Sequence, residues 1–334
     1  MAKRDKVDLW TLSDLATPWC VHVAATLRIA DLVAAGAGSI DELAKEAGAD
    51  VDALQRVMRH LVGQGIFEET TPGRFALNET AAQLREDHPS GLRFGLDLDG
   101  IGGRMAYAWG SLLPAVRTGK PAYADIFGRS FWEDLDAHPA IAADFDALMG
   151  PSGHGTPDPE VLITPSWESV RSVVDVGGGT GALLAEILRA RPGILGTLVD
   201  LPRTIARAAA ILQAAGVAEL VTVVGQSFFD PLPAGADLYL LKNVLADWPD
   251  PQAKDLLRRC AEAARPIGRV VILGGVSADS DAGDPSPALL MMVLVGGRER
   301  SLSAFLELAH DAGLEVCAAD RQPSGRFVVE CLPI

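Results

Sequence analysis

Chemistry is concentrated in the run Val173-Val174-Asp175-Val176-Gly177-Gly178-Gly179-Thr180-Gly181. Apolar residues lead into an acid, then a glycine cluster, then the apolar residues of 182–188. That is the pattern of a buried strand, a tight loop and a helix start. Glycine lets the backbone approach a ligand closely, because a Cβ would block it. A nucleotide-like cofactor fits at such a strand end. The Lys-Ser/Thr pair that closes a phosphate-cradling loop is absent. About 20 residues further on, Gly196-Thr197-Leu198-Val199-Asp200-Leu201-Pro202 reads as a second strand ending in an acid, placed to accept hydrogen bonds from a ribose diol. NAD and S-adenosylmethionine both carry that diol, so the two anchors leave both open. Glycine spacing favours the second. A dinucleotide fingerprint wants a third glycine one turn into the helix, and Ala182 stands there.

These anchors need a scaffold. From residue 166 onwards strand and helix patterns alternate, with strands expected at 170–174, 196–200, 221–224, 238–241 and 269–273, and a last one at 325–331. That predicts a parallel sheet with helices on both faces. Upstream, residues 10–65 read as short amphipathic helices. Ser39 with Glu42 forms a capping-box start, and a further helix runs from Asp50 to Leu61. Residues 66–69 and 73–77 predict a two-stranded wing turning at Thr71-Pro72-Gly73. Helix, helix, wing is a shape often used on DNA. Residues 1–100, however, hold 10 Lys and Arg against 16 Asp and Glu, and a DNA-binding module should be basic on one face. Dimerisation is the expectation instead. Residues 101–165 connect the two parts and concentrate aromatic residues, among them Trp109, Phe131 and Trp132.

Five motifs carry a family resemblance. They are the 175–181 loop, Val199-Asp200-Leu201-Pro202, Ser227-Phe228-Phe229-Asp230-Pro231-Leu232-Pro233, Leu241-Lys242-Asn243-Val244-Leu245-Ala246-Asp247-Trp248-Pro249-Asp250 and Gly296-Gly297-Arg298-Glu299-Arg300-Ser301. In this order and at these separations, the chain resembles class I S-adenosylmethionine-dependent methyltransferases over almost its whole length. More narrowly, it is similar to the plant-type small-molecule O-methyltransferases and their actinobacterial relatives in antibiotic and aromatic polyketide pathways. The resemblance implies an α/β fold: a C-terminal Rossmann-like doubly wound sheet behind an N-terminal α-helical, winged-helix-like dimerisation domain. The expected divisions are 1–100 for dimerisation, 101–165 as a helical connector lining the substrate pocket, and 166–334 for cofactor binding and catalysis.

The resemblance also implies roles. Gly177, Gly179 and Gly181 would lie against the methionine part of the cofactor, where Asp175 orients the loop or meets the amino group. Asp200 would hold the ribose hydroxyls and Leu201 would pack on the adenine. Ser227, where relatives often carry Asp, would meet the adenine with Phe228. Lys242 would sit near the cofactor, and Trp248 beside it or in the core. Trp109, Phe131, Trp132, Met149, Asn243, Met291 and Met292 form the expected acceptor-binding set. The family's general base is a His before Asp-Trp, and here that place is Ala246. The Glu that orients it falls on Gly274, whereas the other acid partner is kept as Glu299. Three readings follow: transfer by alignment alone; a substitute base, His154 or Asp247; or non-methylating chemistry on the same scaffold, such as hydroxylation, decarboxylation or cyclisation. The acceptor is expected to be a small aromatic metabolite methylated on a phenolic oxygen, with carbon or nitrogen as alternatives.

Composition bounds the rest. The 334 residues carry a net charge of −15, which argues for solubility and against a nucleic-acid or anionic-membrane partner. No apolar run is long enough to span a bilayer. The basic N-terminal residues precede no apolar stretch of the kind a signal peptide needs. Cys20, Cys260, Cys317 and Cys331 have no paired spacing, which predicts reduced thiols in a cytoplasmic protein. No His, Asp and Glu spacing suggests a metal.

Overall fold

The computed structural model describes residues 8–149, 157–164, 167–281 and 286–334. The chain divides after Ala106 into two compact units.

In the first unit, local capping sets the helix starts. The Ser39 hydroxyl accepts from the Glu42 N–H, while the Glu42 carboxylate accepts from the Ser39 N–H, opening helix Ile40–Ala47. Asp50 caps helix Val51–Gly63 by accepting from the Ala53 N–H. These caps offset the unpaired donors of the first turn. Leu43, Leu54, Met58 and Leu61 then face a core shared with Ala24 and Ile29. Strands β1 (Phe67–Thr71) and β2 (Arg74–Leu77) pair antiparallel and turn their Phe67 and Phe75 inward. The expected helix, helix, wing order is found.

The second unit is built on a seven-stranded sheet. Its strands are β3 (Ser172–Val176), β4 (Leu195–Asp200), β5 (Val221–Gly225), β6 (Leu238–Lys242), β7 (Arg269–Leu273), β10 (Leu314–Arg321) and β11 (Phe327–Pro333), in the order β10-β11-β7-β6-β3-β4-β5. Strands β3 to β7 run parallel, and β10 and β11 are antiparallel. Central β3 and β6 are apolar almost throughout because helices cover both faces. Core clusters lie on either side, one around Tyr239, Leu256 and Phe305, the other around Leu184, Leu198 and Leu212. A short pair, β8 (Val276–Ser277) with β9 (Arg300–Ser301), lies outside this sheet.

Three expectations shift. The first parallel strand starts at Ser172 rather than 170, because Ser172 pairs with Leu195 and Val170 lies in the preceding loop. The last strand begins at Phe327 and runs on to Pro333. Strand β10 was not anticipated at all. Buried Glu330 on β11 accepts from the Ile163 and Thr164 N–H groups at 2.6 and 2.9 Å, from the Thr164 hydroxyl, and from Arg269. This charge is tolerated because its oxygens are paired, and it fixes residues 163–164 against the sheet.

Candidate active site

Strand order places the site. β3 lies between β6 and β4, so the loop after β3 opens where strand order reverses, the crevice in which such sheets bind ligands. The Gly177 N–H donates to the Val199 carbonyl at 2.8 Å, which turns the loop towards β4. Gly177 has φ +69°, and a Cβ there would lie 2.8 Å from Val244. Only glycine satisfies both the backbone and the space. Gly181 ends the loop and opens helix Ala182–Ala190.

Two acids lie at this loop, and Asp200 holds it. Asp200, at the end of β4, accepts from the Gly179 N–H at 2.8 Å and from the Leu201 N–H at 2.7 Å. Burial raises its pKa, and these donors oppose the shift. The Thr204 hydroxyl is a third donor to this carboxylate. Asp175 is buried within β3, and among the described residues its Oδ2 has no hydrogen-bond partner. Burial pushes its carboxyl up to about 7; Lys242 draws it down and Asp200 pushes it further up. Lys242, at the end of β6, is itself lowered by burial. An orphaned acid oxygen beside a glycine cradle fits a cofactor that brings a cationic amino group.

The acid leaves a pH signature. The folded state holds the Asp175 proton to about pH 7, whereas the unfolded chain releases it near the usual carboxylate value. Between these values the native state binds more protons, so this group's contribution to stability falls as pH rises. Asp175→Asn should therefore leave the ligand-free protein little changed at pH 4.5. At pH 8 it should stabilise by a few kcal/mol, with about 4 kcal/mol as the ceiling set by the shift. Urea unfolding at the two pH values checks this, and equal effects at both would show that Asp175 ionises normally.

Aromatic residues wall the crevice. Trp248 meets Phe229 and Phe228 edge-on at 4.9 and 5.9 Å and stacks on Trp132 at 6.1 Å. Phe131 is buried, with Trp132, Phe145 and Tyr123 around it. The Ser227 hydroxyl accepts from the Phe229 N–H and so shapes this turn. Other expected acceptor residues lie further out. Trp109 and Met149 are 40% and 44% exposed. Met291 and Met292 are half-buried on helix Ser286–Val295. Leu201 is half-buried beside Asp200.

The place expected for a base is a tight turn, 245–247. Ala246 is packed against two glycines: a Cβ on Gly275 would lie 2.8 Å from its nitrogen, and one on Gly297 2.1 Å from its oxygen. At Gly274, φ is +82° and a Cβ would lie 2.2 Å from Asn243 Oδ1. Asn243, with φ +56°, thus fills the space an acid at 274 would need. Asp247 is half-buried; its N–H donates to the Val244 carbonyl at 3.2 Å, while its carboxylate forms no hydrogen bond or ion pair among the described residues. Burial pushes its carboxyl up to about 7. Glu299 is exposed. His154 lies outside the described residues. Among the described residues, no cluster of His, Cys, Asp and Glu could hold a metal.

Sequence reasoning picked Glu299 and passed over its neighbour. Arg300 is 2% exposed, and its guanidinium donates to the carbonyls of Leu245, Arg298 and Trp248 and to Asp250. It is the strut of the turn that carries Ala246, Asp247 and Trp248. The only signal was its place in the Gly-Gly-Arg-Glu-Arg motif.

Comparison with known proteins agrees with this geometry. Residues 109–315 match the O-methyltransferase domain and residues 10–87 the O-methyltransferase dimerisation domain. The chain is 45% identical to a 2,7-dihydroxy-5-methyl-1-naphthoate 7-O-methyltransferase of Streptomyces carzinostaticus, over 94% of each chain. It is 39% identical to the aclacinomycin 10-hydroxylase of Streptomyces purpurascens, over 93% of this chain and 84% of that one. Among solved structures, an O-methyltransferase from neocarzinostatin biosynthesis, in complex with S-adenosylmethionine and 2-hydroxy-5-methyl naphthoic acid, matches with a TM-score of 0.91. It is 42% identical, and the match covers 99% of this chain and 100% of that chain. Matches of this breadth, on a crevice already shaped for the same cofactor, make the chain a member of the S-adenosylmethionine-dependent O-methyltransferase family.

Proposed function

We propose that the protein methylates a phenolic hydroxyl of a fused-ring aromatic acid of the hydroxynaphthoate class. The observation that carries this is the naphthoate O-methyltransferase relative, 45% identical end to end; the aromatic wall of Trp132, Trp248 and Phe228 supports it. S-Adenosylmethionine supplies the methyl group. Asp175, the glycine loop and Asp200 would hold it, with Leu201, Ser227, Phe228 and Lys242 around it. The protein's part is to align the acceptor oxygen and take up its proton. Alignment alone contributes ~7–11 kcal/mol, more than a general base usually adds. Trp248, Trp132, Phe131 and Asn243 would orient the rings, and Trp109, Met149, Met291 and Met292 their far edge. Asp247 is the group beside position 246 that can accept a proton. We assign no catalytic part to Glu299, and His154 remains an expectation from sequence.

Asp247 would act ionised, so activity should rise through about pH 7. Asp247→Asn should lower kcat by about 10²-fold and remove that rise. An unchanged profile would leave alignment as the whole mechanism.

The test of function is incubation with methyl-labelled S-adenosylmethionine and a panel of hydroxynaphthoates and anthracyclines. Label on a phenolic oxygen supports the proposal. An oxidised product with no label would favour the second reading, hydroxylation, for which the 39% identical hydroxylase relative speaks. We further propose that the protein works as a homodimer in the cytoplasm. The dimerisation match supports the first point, as do Leu9, Trp10, Leu12 and Leu15, which are 71–86% exposed in one copy. Sedimentation at micromolar concentration as a monomer would refute the dimer. Among the described residues no helix is long and apolar enough to cross a membrane.

A further inference from the structure

Helices Phe131–Ala137 and Pro139–Met149 touch both flanks of the glycine loop. On the β6 side, Trp132 stacks on Trp248 at 6.1 Å with 21° between the rings. On the β4 side, Asp136 pairs with Arg203 and Asp146 pairs with Arg207. Arg203 lies in helix Pro202–Ile205, which opens two residues after Asp200, and Arg207 follows it. Since β3 lies between β6 and β4, the two helices bridge the mouth of the β3 loop. The first is internally rigid. Ser130 and Glu133 form its capping box, the Tyr123 hydroxyl donates to buried Asp134, and His138 bonds back to the Asp134 carbonyl. Such a segment moves as a body rather than by fraying. Its anchors differ in kind. The ring contact is insensitive to salt, whereas each pair joins a largely buried partner, Arg203 at 23% or Asp146 at 14%, to one open to water, Asp136 at 60% or Arg207 at 36%, through which salt screens it.

We propose that residues 131–149 form a strap gating cofactor exchange, latched by Asp136–Arg203 and Asp146–Arg207. The proposal rests on the cofactor lying at the glycine loop. A latch of two part-exposed pairs is weak, which suits a gate that must open at every turnover. It also makes the arginines positioning residues: they touch the strap and act on the cofactor only through it.

The experiment is stopped-flow release and capture of S-adenosylhomocysteine, read by tryptophan fluorescence, at low and high sodium chloride. In the intact protein, release and capture should both quicken with salt. In Arg203→Gln/Arg207→Gln, both should be about three- to tenfold faster at low salt, nearly salt-independent, and Kd should hardly move. The charge swap Arg203→Asp/Asp136→Arg should return release towards the slow rate and keep the proposal testable if the neutral variant folds poorly. Rates unchanged in the double variant would overturn the gate. So would faster release with unchanged capture and a matching rise in Kd, which marks a loosened site. Failure of the intact protein to bind S-adenosylhomocysteine would instead overturn the cofactor assignment beneath it.

Discussion

Asp200→Ala should weaken S-adenosylhomocysteine binding by about 10²- to 10³-fold, the loss expected when two hydrogen bonds to a charged group disappear. The carboxylate does two jobs at once. It accepts from the Gly179 and Leu201 N–H groups, which ties the glycine loop to the end of β4. On the proposed assignment it also accepts from the cofactor's ribose diol. Removal deletes the diol's acceptor and frees the loop that cradles the rest of the cofactor. Asp200→Asn separates the two jobs. The amide keeps one acceptor oxygen and loses the charge, so binding should weaken only about tenfold. Calorimetric titration reads both variants. Affinity within threefold of the parent in Asp200→Ala would remove Asp200 from the cofactor site.

Arg300→Met should lower thermal stability by roughly 10 °C. The guanidinium closes four contacts in one buried spot: three backbone carbonyls of the 245–300 neighbourhood and Asp250. Methionine fills much of the volume but donates nothing, so the Trp248 carbonyl loses its donor and the Leu245 carbonyl keeps only the Trp248 N–H at 3.4 Å. Leaving buried carbonyls short of a donor costs about 1–3 kcal/mol each, and each kcal/mol moves the midpoint by about 2–4 °C in a domain of this size. Scanning calorimetry measures the shift. Turnover should fall further than stability predicts, because the released turn carries Asp247 and Trp248. A midpoint within 2 °C of the parent would mean the turn stands without its strut.

These two residues show what the sequence could and could not reveal. Asp200 was legible because its role is local: an acid ends an apolar strand a fixed distance past a glycine loop. The capping box at Ser39 and Glu42 was legible for the same reason. Arg300 was not, because its partners lie about fifty residues away and no spacing links them. Glu330 hid in the same way, since its partners come from residues 163–164 and 269. Strand β10 escaped because a bulge between Val316 and Ala318 interrupts its alternation. The end of β3 was misplaced because Asp175 looks like a terminus, yet is buried inside the strand next to Leu198 and Leu240. The aromatic wall was foreseen as a set of residue types; which rings meet depended on tertiary packing.

The crowding at Gly274 bears on how a base could be built into this site. Installing the His and Glu pair that the family resemblance implies would take at least three changes: a His at 246, an acid at 274, and an Asn243 side chain moved out of the way. An acid at 274 alone meets Asn243 in a backbone conformation that side chains resist. A His at 246 alone lacks the acid that the family resemblance puts at 274. A laboratory search for a His-and-acid pair in this enzyme would therefore begin from the combined replacement rather than from either residue alone.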